Sequence, residues 1–474
     1  MAHQDQGRGG SRCSHACGLY KALQWLMVGV SLGGVGFRPD CTWTPEMLVL
    51  AALFWAWSDE RTLIERFTIA RKIIIYRYRG QQEPAGSYQA FIKLLRKWTE
   101  PLRQALSAAF RQRMAKSLAA VWKVEGWLVF AVDGSRVDVP RTRGNEERYS
   151  PKSKLSRAAQ KRLRKGKRRR SLREARQRQA NVPRIWLTML WHVGSGLPWD
   201  WRTGPSDSSE RGHFQEMLGS LPAGVLSLLV ADAGFVGYEL WKTVLEAGQH
   251  LLVRVGGNVK LLKKLGYVQE RDGLVYLWPD RAAKKHLPPL VLRLVVVTDK
   301  RRGPIYLVTS VMSPKELSDA QVASIYARRW GIEVFYRHCK QTFDRRKLRS
   351  HGPDNAMIEL HWSLLGMWAM GLHSHALLVD QGVSPTRISF AGVWRAYRQA
   401  MREYKSPPDP GQHLAQLIDR AIIDPYKRKN KTSRDYPRKK QEQATGPPTL
   451  HTATRAQVQL AIQVKREQKK GLTA

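Results

Sequence analysis

Two aspartates directly follow short apolar segments of the chain. Asp133 comes after Trp127–Val132, and Asp232 comes after Val225–Ala231. Short apolar runs of this kind are typical of buried strands. One aspartate at such a place is often only a turn former or a helix cap, but ligands also gather where the strands of a sheet end. Two equivalent placements therefore favour a site built from both carboxylates.

A third acid lies in the segment 318–343, whose pattern predicts one continuous helix. Four side chains at offsets of 0, +3, +7 and +14 fall within about 60° on a helical wheel; they are Tyr326, Arg329, Glu333 and Lys340. An exposed ion-pair ladder between Arg329 and Glu333, worth about 0.2–0.5 kcal/mol, is the plain alternative. A glutamate among Arg329, Arg337 and Lys340 is better explained by a site that holds metal and phosphate together.

The charge of the chain favours a polyanionic partner. Its 474 residues include 80 Lys and Arg against 39 Asp and Glu, a formal net charge of +41. Residues 152–178 hold 14 basic residues and one acid, and residues 401–474 hold 16 basic and 7 acidic residues. Such runs face solvent or phosphate, so nucleic acid is the simplest partner, with a solubilising tail as the alternative. The predicted DNA-contacting residues of the insert are Lys161, Arg162, Arg164, Lys165, Lys167, Arg168, Arg169 and Arg170.

The order of patterns along the chain predicts an α/β domain that positions these residues. The strand before Asp133 is followed by the basic insert and by a hairpin with its turn at Gly194–Gly196. Helical and strand-like patterns then alternate through 209–311 and end in the helix of 318–343. This alternation is typical of a mixed sheet flanked by helices.

The N-terminal part of the chain has helical patterns without an equivalent strand. They cover roughly residues 46–57, 59–76 and 87–118, and Pro101 interrupts the last of them. A basic helical module is a common way to present a helix to a DNA groove. A plain structural bundle is the alternative.

Other features exclude several classes of protein. The longest apolar runs, Trp25–Phe37 and Met47–Trp57, have 13 and 11 residues, which is too short to cross a bilayer. The cysteines are few and scattered, so the sequence predicts a reducing, cytoplasmic setting. His15 lies between Cys13 and Cys17, but no second pair of ligands follows, and a zinc site is not predicted.

The spacing Tyr326-x2-Arg329-x3-Glu333-x6-Lys340 matches a family signature. It resembles the Y-x2-R-x3-E-x6-K motif of the DDE transposases of bacterial insertion sequences and related cut-and-paste transposons. Residues 132–142 and 231–235 resemble the blocks of that family around its two aspartates, and residues 348–365 resemble its segment after the glutamate. The order of the blocks makes the resemblance specific, and it covers roughly residues 40–400.

The resemblance implies a ribonuclease H-like mixed sheet flanked by helices, with a β-rich insertion and a helical N-terminal DNA-binding region. It implies that Asp133, Asp232 and Glu333 are catalytic and converge to hold two divalent cations, normally Mg²⁺ with Mn²⁺ as the alternative ion. Hard carboxylate oxygens are the ligands that such cations prefer. The residues expected to bind DNA phosphates beside the scissile bond are Tyr326, Arg329, Arg337 and Lys340.

The implied function is a cut-and-paste DNA transposase. It would bind terminal inverted repeats, cleave phosphodiester bonds by two-metal-ion catalysis and transfer the freed 3′-OH ends to target DNA. The implied partners are double-stranded transposon ends and target DNA, bound by a dimer in the synaptic complex at the bacterial nucleoid in the cytoplasm, with no membrane. Two alternatives stay open: a ribonuclease H-like endonuclease or resolvase without strand transfer, and a non-catalytic basic DNA-binding regulator.

Pattern and resemblance together divide the chain into five regions. They are a poorly ordered N-terminus (1–40), a helical DNA-binding region (41–125), the catalytic domain (126–350), C-terminal helices (351–400) and a basic tail (401–474). The catalytic domain is expected to contain the basic insert at 150–180 and the β-rich insertion at about 248–304.

Overall fold

A computed structural model describes residues 18–151, 182–299, 303–404, 412–422 and 446–471. The basic residues predicted between Lys161 and Arg170 to contact DNA, as well as Cys13, His15 and Cys17, lie outside this part of the chain. Among the described residues, no helix combines the length and the apolar character that crossing a membrane requires.

The strands of the described residues form one sheet. They are β1 (Leu128–Asp138), β2 (Arg184–His192), β3 (Leu197–Gly204), β4 (Ser227–Ala231), β5 (His250–Val255), β6 (Lys260–Lys263), β7 (Leu274–Leu277), β8 (Leu290–Asp299), β9 (Gly303–Thr309) and β10 (Thr449–Thr452).

The α-helices of the described residues cover both ends of the chain and the connections between strands. They are α1 (Leu19–Met27), α2 (Pro45–Trp57), α3 (Leu63–Arg77), α4 (Tyr88–Ser117), α5 (Arg143–Tyr149), α6 (Glu210–Met217), α7 (Tyr238–Glu246), α8 (Asp280–Ala283), α9 (Asp319–Arg328), α10 (Gly331–Arg337), α11 (Pro353–Asp380), α12 (Phe390–Arg402), α13 (Gln412–Asp419) and α14 (Arg455–Gly471).

The central part of the sheet has the order β3-β2-β1-β4-β5. Strands β1, β4 and β5 are parallel, β2 pairs antiparallel with β1, and β3 pairs antiparallel with β2. The five residues of β4 and the first five of β1 are all buried, as expected for strands covered by helices on both faces. This arrangement confirms the predicted ribonuclease H-like mixed sheet flanked by helices.

The predicted β-rich insertion is an extension of the same sheet. Strand β9 pairs antiparallel with β5, and β8, β7 and β6 follow in turn. Strand β10 from the predicted basic tail pairs parallel with β6, and the following helix α14 places Lys465 beside the carbonyl of Tyr267, 2.7 Å away. The expected tail therefore contributes a strand and a helix to the insertion. The pairing of β10 with β6 is a long-range contact that no local sequence pattern reveals.

Two helices apolar on all sides form the core between the termini. Eleven of the thirteen residues of α2 and 21 of the 28 residues of α11 are buried, which is typical of helices inside a domain. The indole of Trp57 donates to the carbonyl of Gly366 at 2.9 Å, and that of Trp362 donates to the Thr99 hydroxyl at 3.0 Å. Helix α2 is therefore a structural helix, while DNA binding by its neighbours stays a prediction.

Two N-terminal expectations differ from the structure. Residues 18–40 are not all loosely ordered, because α1 buries Leu19, Leu23 and Leu26 against the core. Helix α4 also continues through Pro101 instead of ending there. Its two halves bury apolar side chains along the same element, and this packing outweighs the backbone hydrogen bond that proline removes.

The buried histidines predict a loss of stability in acid. Burial lowers the pKa of His192 and His373 to about 3 and that of His375 to about 4. In the unfolded chain each of these histidines titrates near a pKa of about 6.5. Their contribution to the unfolding free energy is therefore complete above pH 6.5 and is lost as the pH falls towards 4. We expect the unfolding free energy to drop by up to roughly 4 kcal/mol per pH unit in this window. Urea unfolding at a series of pH values measures this slope, which His373→Gln should reduce and exposed His351→Gln should not.

Candidate active site

Asp133 lies inside β1 rather than at its end. Strand β1 was expected to stop at Val132, but it continues to Asp138 because β2 pairs with it along this whole stretch. Its other neighbour, β4, pairs with β1 only as far as Ala131. Asp133 therefore lies just beyond the point at which β1 loses its pairing with β4.

Asp232 follows directly after β4, as predicted. Its backbone is extended, and its Oδ1 accepts a hydrogen bond from the amide of Gly234 at 2.8 Å. The residue thus also caps the short turn Ala233–Phe235. Because β1 and β4 are adjacent and parallel, the two aspartates lie at the same edge of the sheet.

Glu333 lies on a helix that is shorter than predicted. The expected continuous helix is divided into α9 and α10 by a tighter turn, in which Arg329 and Trp330 bond to carbonyls three residues back. A π-helical turn, His338–Thr342, then follows and carries Lys340. The 100°-per-residue wheel therefore does not hold across the whole segment, although Arg329 and Glu333 still form an ion pair at 2.8 Å.

A close contact lies at this break, at Gly331. A Cβ atom added there would lie 2.0 Å from Cη2 of Trp191 on β2, a distance that real Cβ atoms do not adopt. Trp191 is buried, with 5% of its surface exposed. The backbone at the start of α10 thus lies directly against the indole, and this contact sets the position of Glu333 relative to the sheet.

The three acids are electrostatic neighbours. Burial, together with the charges of Asp232 and Glu333, raises the pKa of the Asp133 carboxyl to about 7, and the charge of Arg329 opposes this rise. In addition, the buried hydroxyl of Tyr336 on α10 donates to the backbone carbonyl of Asp133 at 2.8 Å. The structure thus brings together the edge of β1, the end of β4 and the start of α10.

The same residues are not arranged to coordinate a cation in this conformation. Among the described residues, no group of three or more Asp, Glu, His or Cys side chains is placed to hold a metal ion together. In this conformation Glu333 forms an ion pair with Arg329, and Asp232 accepts a hydrogen bond from the amide of Gly234. The three acids are thus close enough for their charges to interact, but they do not form a coordination sphere. The donor set itself, carboxylate oxygens only, fits a hard divalent cation.

Arg329 has the features of a phosphate-binding residue. It is 8% exposed, and apart from Nη2, which bonds Glu333, its Nε and Nη1 atoms are buried without a hydrogen-bond partner. A buried donor without a hydrogen-bond partner destabilises the folded chain. An anion that accepted hydrogen bonds from these two atoms would remove this destabilisation.

The other predicted phosphate ligands differ in their placement. The ring of Tyr326 lies 5.7 Å from the Arg329 guanidinium. Burial raises the pKa of the Tyr326 phenol, and the charge of Asp232 acts in the same direction. Lys340 is half-buried, and the charges of Asp138 and Asp133 oppose the lowering of its pKa by burial. Arg337 is exposed, and within the described part of the chain it makes no hydrogen bond or ion pair with the three acids.

Sequence reasoning missed two residues near the acids. The side chain of Trp330 is 54% exposed next to Arg329, which is unusual for an indole and leaves it free to stack on a base. Glu210, the first residue of α6, has a pKa raised by burial and by the charge of Asp232. The sequence signal for Glu210 was an acid directly after the Ser209 cap, a feature that many helices without a site share.

Comparisons with known proteins agree with the sequence resemblance. The model of a family described as "Transposase DDE domain" matches residues 127–368, which are 242 of the 474 residues. The chain is also 28% identical over 201 residues to the transposase InsG for insertion sequence element IS4 of Escherichia coli (strain K12). That alignment covers 40% of this chain and 44% of the relative, so the chain spans less than half the length of this relative.

A solved structure resembles the chain more remotely. It is the cryo-EM structure of the piggyBac transposase synaptic complex with hairpin DNA, at 12% identity and a TM-score of 0.39, covering 87% of this chain and 84% of that one. A likeness at this level carries no argument. The family match, in contrast, extends over more than half of the chain and includes Asp133, Asp232 and Glu333. The protein therefore belongs to the family of DDE transposases.

Proposed function

We propose that this protein is a cut-and-paste DNA transposase. It binds the terminal inverted repeats of a transposon, cleaves phosphodiester bonds at the ends and transfers the freed 3′-OH groups to target DNA. The observation that supports this best is the meeting of three acidic charges, Asp133, Asp232 and Glu333, beside the unpartnered donors of Arg329. Phosphodiester chemistry of this kind requires acids that hold metal ions and a positively charged side chain that binds the phosphate.

Asp133, Asp232 and Glu333 would hold two divalent cations, Mg²⁺ or alternatively Mn²⁺. When bound, these ions lower the pKa of the attacking water or 3′-hydroxyl and stabilise the leaving 3′-oxygen. The half-buried Asp133 carboxyl, whose pKa burial and its acidic neighbours raise to about 7, gains most from a nearby positive charge. Glu333 joins the site by giving up its ion pair with Arg329.

The release of Glu333 frees the guanidinium of Arg329 for DNA. All of its donors can then face a phosphate, and the rigid fork suits the oxygens of that group. Tyr326 and Lys340, on either side of Glu333 in the sequence, would contact further phosphates of the DNA backbone. The exposed Arg337 would contact this DNA backbone from the solvent side. Such contacts fix the register of the DNA without reading its sequence.

The remaining charge of the chain supports DNA binding outside the acidic site. The basic residues at 161–170 and the N-terminal helices would bind the transposon ends, and a dimer would hold two ends in the synaptic complex. These contacts place the protein on the nucleoid, in the cytoplasm. Affinity for DNA is expected to fall steeply as salt rises.

A strand-transfer assay tests this function. The full chain is incubated with Mg²⁺, a supercoiled target plasmid and a linear duplex that contains the coding sequence with its genomic flanks. We expect an excised fragment and a product in which its 3′ ends are joined to the plasmid, both absent in EDTA. Cut ends without a joined product would instead indicate an endonuclease, and DNA binding without any cleavage would indicate a regulator.

A further inference from the structure

Glu210 lies close to Asp232 and to Gly134, the residue after Asp133, although its helix α6 contains neither aspartate. It is the first residue of α6, directly after Ser209, whose hydroxyl accepts from the amide of Gly212 at 3.1 Å. Helix α6 packs on β1, β2 and β3 and against α7. The start of α6 is thus fixed by the sheet and by its own cap.

Gly134 makes room for the Glu210 carboxylate. A Cβ atom at Gly134, the residue after Asp133, would lie 2.1 Å from Glu210 Oε1. A Cβ atom at Gly234 would lie 3.9 Å from Glu210 Oε2 and 2.9 Å from Asp232 Oδ1. The carboxylate therefore occupies the space between the backbone next to Asp133 and the turn that Asp232 caps.

The basic neighbours of Glu210 are engaged elsewhere. Arg211 and Arg136 are the cations whose charges act on it. However, the Arg211 Nε donates to the carbonyl of Gly234 at 2.9 Å, and the Arg136 guanidinium lies 4.2 Å from the centre of the Trp186 ring. Within the described residues, no donor forms a hydrogen bond or ion pair with the Glu210 carboxylate. A half-buried carboxylate in this position adds repulsion to the site unless a cation is present.

We propose that Glu210 is a positioning residue of the metal site, and that its carboxylate accepts hydrogen bonds from the hydration shell of a divalent cation held by Asp133 and Asp232. This inference rests on the proposed function. Mg²⁺ gives up its water reluctantly and usually keeps several molecules. The Glu210 carboxylate lies against the backbone of Gly134 and near the turn that Asp232 caps, and an acid that borders the ligands in this way suits contact through water.

Titration of Mn²⁺ into the complex of the full chain with its end DNA tests this role. Isothermal titration calorimetry is carried out on the wild type, Glu210→Gln, Glu216→Gln and Asp133→Asn. Glu216 is the matched control, since it lies on the same helix and its exposed carboxylate pairs with Arg202 at 3.5 Å. We expect Glu210→Gln to weaken Mn²⁺ binding by about 10- to 100-fold, and Glu216→Gln to bind Mn²⁺ like the wild type.

Thermal unfolding and DNA binding in EDTA separate this role from a structural one. Glu210→Gln should keep its DNA affinity in EDTA and should not lower the Tm, because the charge it removes has no partner in the folded chain. Unchanged Mn²⁺ affinity in Glu210→Gln, with Asp133→Asn impaired, would overturn the role of Glu210 alone. If the wild type bound no Mn²⁺, or Asp133→Asn bound it normally, the proposed metal site would fail and Glu210 with it.

Discussion

Replacing Asp133 by asparagine is expected to abolish Mg²⁺-dependent cleavage of end DNA. The substitution keeps the size of the side chain but removes the carboxyl group on which the charges of both other acids act. Loss of one anionic ligand removes most of the charge stabilisation that the cations provide, so we expect cleavage to slow by at least about 10³-fold, or ~4 kcal/mol of activation free energy. Single-turnover cleavage of a labelled end duplex measures the rate.

DNA binding is expected to survive this substitution. In an EDTA mobility-shift assay the affinity of Asp133→Asn should stay within about threefold of the wild type or increase slightly, because removal of a negative charge favours a polyanion. Asp138→Asn is the control on the same strand, since its ion pair with Arg184 is half-exposed and worth about 0–1 kcal/mol. Cleavage by Asp133→Asn at more than a tenth of the wild-type rate would remove the catalytic assignment.

The positions of the acids were predicted more accurately from the sequence than the ends of the strands and helices that carry them. Asp232 follows β4 as expected, because a five-residue apolar run with an acid after it needs only local information. The end of β1 could not be predicted, since the strand continues past Asp133 only through its pairing with β2. The break before Glu333 lies against Trp191, a residue about 140 positions earlier in the chain, and no local pattern reveals this contact.

Residues without a local signature were missed for the same reason. Glu210 reads as an ordinary acid in the first turn of a helix, and only the packing of α6 brings it to Gly134. Strand β10 reads as part of a basic tail, and only its pairing with β6 shows that it extends the sheet. The family resemblance implied a ribonuclease H-like mixed sheet, and the structure adds the order β3-β2-β1-β4-β5; hydrophobic periodicity alone predicts strands but not their neighbours.

Replacing Gly331 by alanine is expected to inactivate the protein without touching an acid. The added methyl group would lie 2.0 Å from Trp191 Cη2, with two further ring atoms within 2.9 Å. Because the indole is buried, either the ring or the start of α10 has to move, at a cost of about 1–3 kcal/mol in the unfolding free energy. A shift of about 1 Å at Glu333, two residues away, is enough to slow cleavage by roughly 10²-fold. Urea unfolding and single-turnover cleavage measure the two effects.

The double variant Gly331→Ala with Trp191→Leu tests whether this contact is the cause. Trp191→Leu removes the ring atoms that the new methyl group meets, so in this background Gly331→Ala should cost at least about 1 kcal/mol less than in the wild type. Gly219→Ala is the matched control, because a Cβ atom there has no neighbour within 4 Å, and its effect should stay within about 0.5 kcal/mol. Equal costs of Gly331→Ala in both backgrounds would show that Trp191 does not position the helix of Glu333.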